Sequence, residues 1–289
     1  MRKIRLFRFA FLAAFFFMVT GCAQMPDLGS ILSRTDLRYN IPEGTELKYQ
    51  LTTTVEQRME MMGQPMKFEI ENDFIFDMTS RGMARDAFQI DVEITSADLQ
   101  VRSSMGNMSP NVNNLVGKGF LLSLSPRGRE LDLSGARTLN YDLGQAGQRN
   151  LLGEFQAFFP DLPTSTVLSG DTWTSKDTVN LDQTDTGIQL LLNKTNTMAG
   201  LETYEGMECI KVNSEVTGKM IGSGNQNGAD LEFSGDITSQ ETWYFAYKKG
   251  TFASYVAESV IDGNIDISGP MNASMPMTMQ IKTENRLLP

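Results

Sequence analysis

Between residues 49 and 61 the chain alternates. Tyr49, Leu51, Val55, Met59 and Met61 share the odd positions with Thr53 and Gln57, while Gln50, Thr52, Thr54, Glu56, Arg58 and Glu60 hold the even ones. A period of two is the signature of a strand with one dry and one wet face. The phase flips across Met62-Gly63-Gln64-Pro65, after which Met66, Phe68, Ile70, Phe74, Phe76 and Met78 alternate with Lys67, Glu69, Glu71, Asp73 and Asp77. A four-residue turn there pairs Met61 with Met66 and sets Met59 opposite Phe68. The same register faces Glu60 with Lys67 and Arg58 with Glu69, and each such opposite-charge pair contributes roughly 0.2–1 kcal/mol. Glu56 opposite Glu71 is a small cost against it.

The pattern continues down the chain. Phe88, Ile90, Val92 and Ile94 mark a third strand, and Ser103 to Gly117 reads as a long loop. Phe120-Leu122-Leu124 and Leu131-Leu133 form a shorter hairpin around Pro126-Arg127-Gly128, whose Pro and Gly suit a tight turn. From Leu143 to Phe158 the period changes: Ala146, Leu151, Leu152, Phe155, Phe158 and Phe159 fit one side of a helix ended by Pro160. Trp173 opens a strand and plugs one end of the core. Further strands follow through Ile188-Leu190-Leu192, Ile210-Val212-Val216, Leu231-Phe233-Ile237 into Trp243–Tyr247, and Tyr255 to Ile267; Lys248-Lys249-Gly250 is a turn. A last strand carries Met275, Met277, Met279 and Ile281, and joining it at Gly269-Pro270 sets Ile267 near Met275 and Ile261 near Ile281. These strands are far longer than the usual five or six residues. The expected fold is all-β dominated: one large antiparallel, strongly curved sheet or open barrel of nine to eleven long strands, dry on one face, with one inserted amphipathic helix. A single β domain spans 45–289, with possible pseudo-repeat halves 45–135 and 187–289 around a helical insertion at 136–186.

The amino-terminal end has a different pattern. Arg2, Lys3, Arg5 and Arg8 precede an apolar run from Phe9 to Val19, the layout of a secretory signal and too short to span a membrane. Val19-Thr20-Gly21-Cys22 resembles the bacterial lipobox, in which the peptide is cut before the Cys and the Cys is acylated. The resemblance implies a signal peptide at 1–21, lipid attachment at Cys22, and a polar tether at 22–44 that holds the folded part by the membrane. Ala23 after the Cys implies the outer membrane rather than the inner, with the domain in the periplasm or at the surface. Removal of 1–21 takes four basic and no acidic side chains from totals of 25 and 35, which leaves a net charge of about −14. Such a chain is a poor nucleic-acid partner, since phosphate binding rests on Lys and Arg. With one of the two cysteines acylated, Cys209 has no disulfide partner within the chain and is expected as a small buried apolar residue. There is no histidine, which removes the commonest general base and metal ligand. No catalytic motif stands in its place, so no enzyme, cofactor or resident metal is expected.

Two further resemblances bear on function. Leu124-Ser125-Pro126-Arg127-Gly128, Phe159-Pro160-Asp161-Leu162-Pro163 and Gly170-Asp171-Thr172-Trp173 look like a pattern of secreted or lipid-anchored bacterial β domains that carries no known activity. The anchored curved sheet itself is similar in architecture to the lipoprotein-localisation carriers (LolA and LolB) and to mycobacterial lipid-carrier lipoproteins. That similarity implies a concave apolar face for acyl chains of a lipid or an acylated protein, lined here by Met59, Met61, Met66, Phe68, Met275, Met277 and Met279. The alternative is a filled core and a structural or assembly role through contacts with other envelope proteins. A second alternative is Cu(I) binding, since thioethers are soft ligands and Met59-Glu60-Met61-Met62 and Met275-Pro276-Met277-Thr278-Met279 cluster them. Asp262-Gly263-Asn264-Ile265-Asp266 has a superficial look of a calcium loop, but Ile267 stands where an EF-hand needs Gly, and a solvated strand face accounts for it better.

Overall fold

The computed structural model describes residues 34–289 apart from 62, 105, 109, 143–147, 184–185, 227 and 271. The lipobox-like segment and the expected signal peptide therefore lie outside the described residues. The first six strands are β1 (Glu46–Met61), β2 (Gln64–Ala84), β3 (Ala87–Ser103), β4 (Gly106–Met108), β5 (Gly119–Leu124) and β6 (Glu130–Asp132). Two short strands, β7 (Asn140–Asp142) and β8 (Gln148–Asn150), precede the single helical turn α1 (Leu152–Phe155). The long strands of the second half are β9 (Thr172–Gln183), β10 (Thr186–Tyr204), β11 (Met207–Gln226), β12 (Ala229–Ala246), β13 (Thr251–Ser268) and β14 (Ala273–Leu287). All belong to one sheet in the order β6-β5-β3-β2-β1-β14-β13-β12-β11-β10-β9-β8-β7, with β4 on β3, and every pairing is antiparallel.

That order dictates the curvature. β6 and β7 are the two outer edges of the sheet, yet only residues 133–139 join them. Laid flat, thirteen strands in line would hold those edges roughly 55–60 Å apart at normal spacing, while the link reaches less than about 30 Å. The sheet must curl until its edges approach. Contacts across the curl agree: Tyr141 of β7 lies 6.3 Å from Phe74 of β2, and Phe120 of β5 lies 4.9 Å from Phe155 of α1. The edges exchange no ladder bonds, so the barrel stays open.

The hairpin registers differ from the sequence reading by two residues. Met59 pairs with Met66 and Gln57 with Phe68, because the ladder continues as far as Met61 opposite Gln64. Gly63 supplies a positive φ of 75°, and two-residue turns match the twist of paired strands best. Lys67 meets its acidic partners Glu56 and Glu69 at 3.3 and 2.6 Å instead of facing Glu60. Likewise Ile267 pairs with Ala273, Ile265 with Met275 and Ile261 with Met279. A slip of two preserves the phase, so each side chain keeps the face that its sequence position predicts.

The expected helix is a correction. Among the described residues of 143–158, Gln148–Asn150 form a strand and only Leu152–Phe155 is α-helical, while 143–147 lie outside the described residues. Gln156 already takes an extended backbone and Ala157 a left-handed φ of 72°. Leu151, Leu152, Phe155, Phe158, Phe159 and Leu162 are buried nonetheless, beside the segment 35–41. That segment, read from sequence as tether, is also a correction: Leu37, Tyr39 and Ile41 are fully buried. Tyr39 donates its hydroxyl to the Pro160 carbonyl at 3.1 Å and packs edge-on to Phe159 and Phe245. Arg127 ties the segment down through Asp36 and the Leu37 carbonyl. The three sequence segments with the shared pattern meet here. Leu162 N–H donates to the Arg127 carbonyl at 2.7 Å, and Trp173 Nε1–H to the Asp161 carbonyl at 3.1 Å. Together they make an aromatic plug that closes one end of the curl. Cys209 is free and buried, as expected.

Candidate functional site

Every long strand turns one phase inward, and across most of the sheet the inward rows pass through three zones. β3 is the exception, with Phe88, Ile90, Val92, Ile94, Leu99 and Val101 apolar throughout. At the plug end the rows are dry: Tyr49, Phe74, Phe76, Phe245 and Phe252 have no exposed surface. Tyr49 donates to the Phe252 carbonyl and shares a bond with Thr251 Oγ1, both at 2.8 Å, so its buried hydroxyl is satisfied.

Halfway along, the inward residues become polar on strand after strand. Thr53 of β1 faces Asn72 of β2 and Thr283 of β14, and Asn285 of β14 faces Tyr255 of β13. Glu241 of β12 and Lys194 of β10 continue this belt. The Lys194 ammonium lies 3.2 Å from both Glu241 and Asp177. Burial works against that ammonium, but Tyr255, Glu241 and Asp177 outweigh it and hold its pKa raised. Burial raises the Tyr255 phenol, against the pull of Lys194. Ser214 closes a further link, donating to Asn196 at 2.6 Å and accepting from Trp243 Nε1–H at 3.1 Å. Where the belt meets the plug, burial raises Glu130 to about 8, partly offset by the Phe159 N–H that it accepts at 2.9 Å. Burial and then Asp177 raise Asp161 to about 6.

Beyond the belt lies the third zone, with most of the residues expected from sequence. Met275 and Met277 are buried in a cluster with Met220, Ile237, Ile261 and Ile265, while Met59 and Met279 pack on it half-buried. Met66 and Phe68 are half-buried on the same inner face, and the side chain of Met61 lies outside the description. The ladder puts Met66, Met59 and Met277 side by side on β2, β1 and β14, and Phe68, Gln57 and Met279 on the next rung. The sequence reading therefore found the apolar zone and missed the polar belt. The signal for the belt was present, as polar residues standing in the apolar phase at mid-strand: Thr53, Asn72, Lys194, Glu241 and Asn285.

The outer face is its opposite. Lys48, Glu56, Arg58, Lys219, Asp236, Glu258, Lys282 and Arg286 point away from the core, and ion pairs such as Lys48–Asp77 at 3.0 Å run across it. A barrel that spans a bilayer needs an apolar band there; this surface is built for water. Two clefts of about 610 and 640 Å³ open on it, sharing Glu215, Gln240 and Glu258. Neither is lined by the methionines or by Phe68. Among the described residues no helix is long and apolar enough to cross a membrane, and no group of His, Cys, Asp and Glu is arranged to hold a metal ion.

No protein-family model matches the chain, and no curated protein matches its sequence significantly. Among solved structures, an outer membrane channel from Pseudomonas putida F1 aligns at 10% identity and a TM-score of 0.27, over 86% of this chain and 97% of that one. OccK2 of Pseudomonas aeruginosa, solved with glucuronate, aligns at 5% identity and 0.23, over 86% and 100% of the two chains. OmpT, an outer membrane protein of Vibrio cholerae, aligns at 9% and 0.16, over 85% and 98%. TM-scores this low mean that the strands do not superpose as a common fold, and nothing about this chain's role follows from them.

Proposed function

We propose that the chain is a lipid-anchored protein of the cell envelope that holds a hydrophobic ligand, an acyl chain of a lipid or of an acylated protein, against its inner face beyond the polar belt. One observation carries the reading. Along a single inward row, Phe76 and Phe74 are fully buried, Asn72 marks the belt, and Ile70, Phe68 and Met66 are only half-buried. The same step recurs on β10, from buried Met198 through Lys194 to half-buried Leu192, Leu190 and Ile188. Partly buried apolar surface along the inside of a curl suits a ligand. Methionine suits it further, since its flexible thioether adapts to chains of varied shape. The lipobox-like Val19-Thr20-Gly21-Cys22 supports anchoring at Cys22, with the outer membrane favoured by Ala23, and the charged outer face supports a body that stands in water. No nucleic acid enters this reading, and no catalytic step.

Native mass spectrometry of the full chain purified from cells tests it. The expected spectrum contains a bound lipid or acylated species that collisional activation removes. A spectrum of empty protein overturns carriage and favours the contact role. A second reading has its own support: Met66, Met59 and Met277 place three thioethers on one rung, where adjacent inward side chains are about 5 Å apart. Bound copper in the same spectrum would favour it.

A further inference from the structure

The belt at the inner end of the open zone has an unmet need. Asn72 Oδ1 and Asn285 Oδ1 are buried acceptors with no hydrogen-bond partner, in residues only 9% and 2% exposed. Asn72 on β2 stands opposite Thr53, and Asn285 on β14 stands opposite Leu51, one rung nearer the plug; the partly buried row of Val55, Ile70 and Ile281 begins one rung outward from Thr53. Buried polar atoms of native proteins almost always find a partner, so each carboxamide here calls for a donor from outside the chain. The charge of the belt limits what that donor can be. Its one ammonium, Lys194, is already shared between two carboxylates, Asp177 and Glu241, and the Tyr255 phenol, its pKa raised by burial, faces the same Glu241 charge, which raises it further. No cation is left over for an anionic headgroup, and bringing one in would add a buried charge without a partner.

We infer that the ligand is an amphiphile whose uncharged, hydroxyl-bearing head donates hydrogen bonds to Asn72 and Asn285, with its tail lying outward along the Met59, Phe68 and Met279 zone. This rests on the proposed apolar ligand and adds the chemistry of its head: acylglycerol or glycolipid in kind, rather than fatty acid or phosphate ester.

Displacement of the neutral dye N-phenyl-1-naphthylamine tests the inference, using the full chain held in amphipol at pH 8. The competitors are monomyristoylglycerol and myristate, which share a tail and differ in the head. Monomyristoylglycerol is expected to bind about tenfold or more tighter than myristate, as two additional hydrogen bonds would give. Asn72→Leu and Asn285→Leu should each weaken monomyristoylglycerol several-fold and leave myristate and the dye unchanged; unchanged dye binding shows that the variants fold. Equal binding of both competitors, or a preference for myristate, overturns the head assignment and leaves the apolar site standing. If the dye itself does not bind, the apolar site fails as well.

Discussion

Glu130 is the residue whose titration reaches furthest into the fold. Its carboxylate receives the Phe159 N–H at the junction of plug and belt, and burial lifts its pKa to about 8. The unfolded chain would titrate it near 4.3. The native state therefore holds a proton there that the unfolded state releases, so the contribution of Glu130 to stability is full below about pH 4.3 and is lost as pH rises through about 8. The shift corresponds to a few kcal/mol. Asp161, raised to about 6, acts in the same direction over a lower window. Glu130→Gln keeps a carbonyl for Phe159 and has no proton to lose. Denaturant melts between pH 5 and 9 should show a falling midpoint in the natural chain and a flatter one in the variant, with the variant the more stable at pH 9. Parallel curves for the two proteins would contradict the assignment.

At the scale of elements, phase was legible in the sequence and path was not. Alternation alone placed Met59, Met66, Phe68, Met275, Met277 and Met279 on one face, and a two-residue error in both hairpins left that face intact, since a strand repeats every two residues. The apolar spacing of Leu151, Leu152, Phe155, Phe158 and Phe159 imitates a helix, yet these residues serve as a plug. What ends the helix is an extended Gln156 followed by a left-handed Ala157, conformations no side chain announces. Leu37, Tyr39 and Ile41 did alternate with Asp36, Arg38 and Asn40, but a strand-like trio beside Pro42, outside any ladder, resembles linker. The plug carries much of the stability. Phe158 packs on Tyr49, Phe155 and Phe159 with centroids 5.6, 4.9 and 5.1 Å away. Phe158→Ala is expected to cost about 3–5 kcal/mol in urea unfolding. Phe68→Ala, on the half-buried zone, should cost under about 2 kcal/mol. Equal losses would mean that both ends of the curl are packed alike.

The whole molecule follows from one piece of chain geometry: the link at 133–139 joins the two edges of a sheet too wide to stay flat. The curl gathers the apolar phase inside and the charges outside, the plug closes one end, and the other end keeps its greasy surface half-open beyond the polar belt. Tryptophan quenching by lipids with brominated acyl chains tests this arrangement most directly, with the reporter placed at Phe68→Trp on the inner face or at Lys67→Trp, its outward neighbour. The account predicts strong quenching of the Phe68→Trp signal above the background of Trp173 and Trp243, and none at Lys67→Trp. Quenching at Lys67→Trp alone, or at neither position, would contradict an inner face that receives acyl chains.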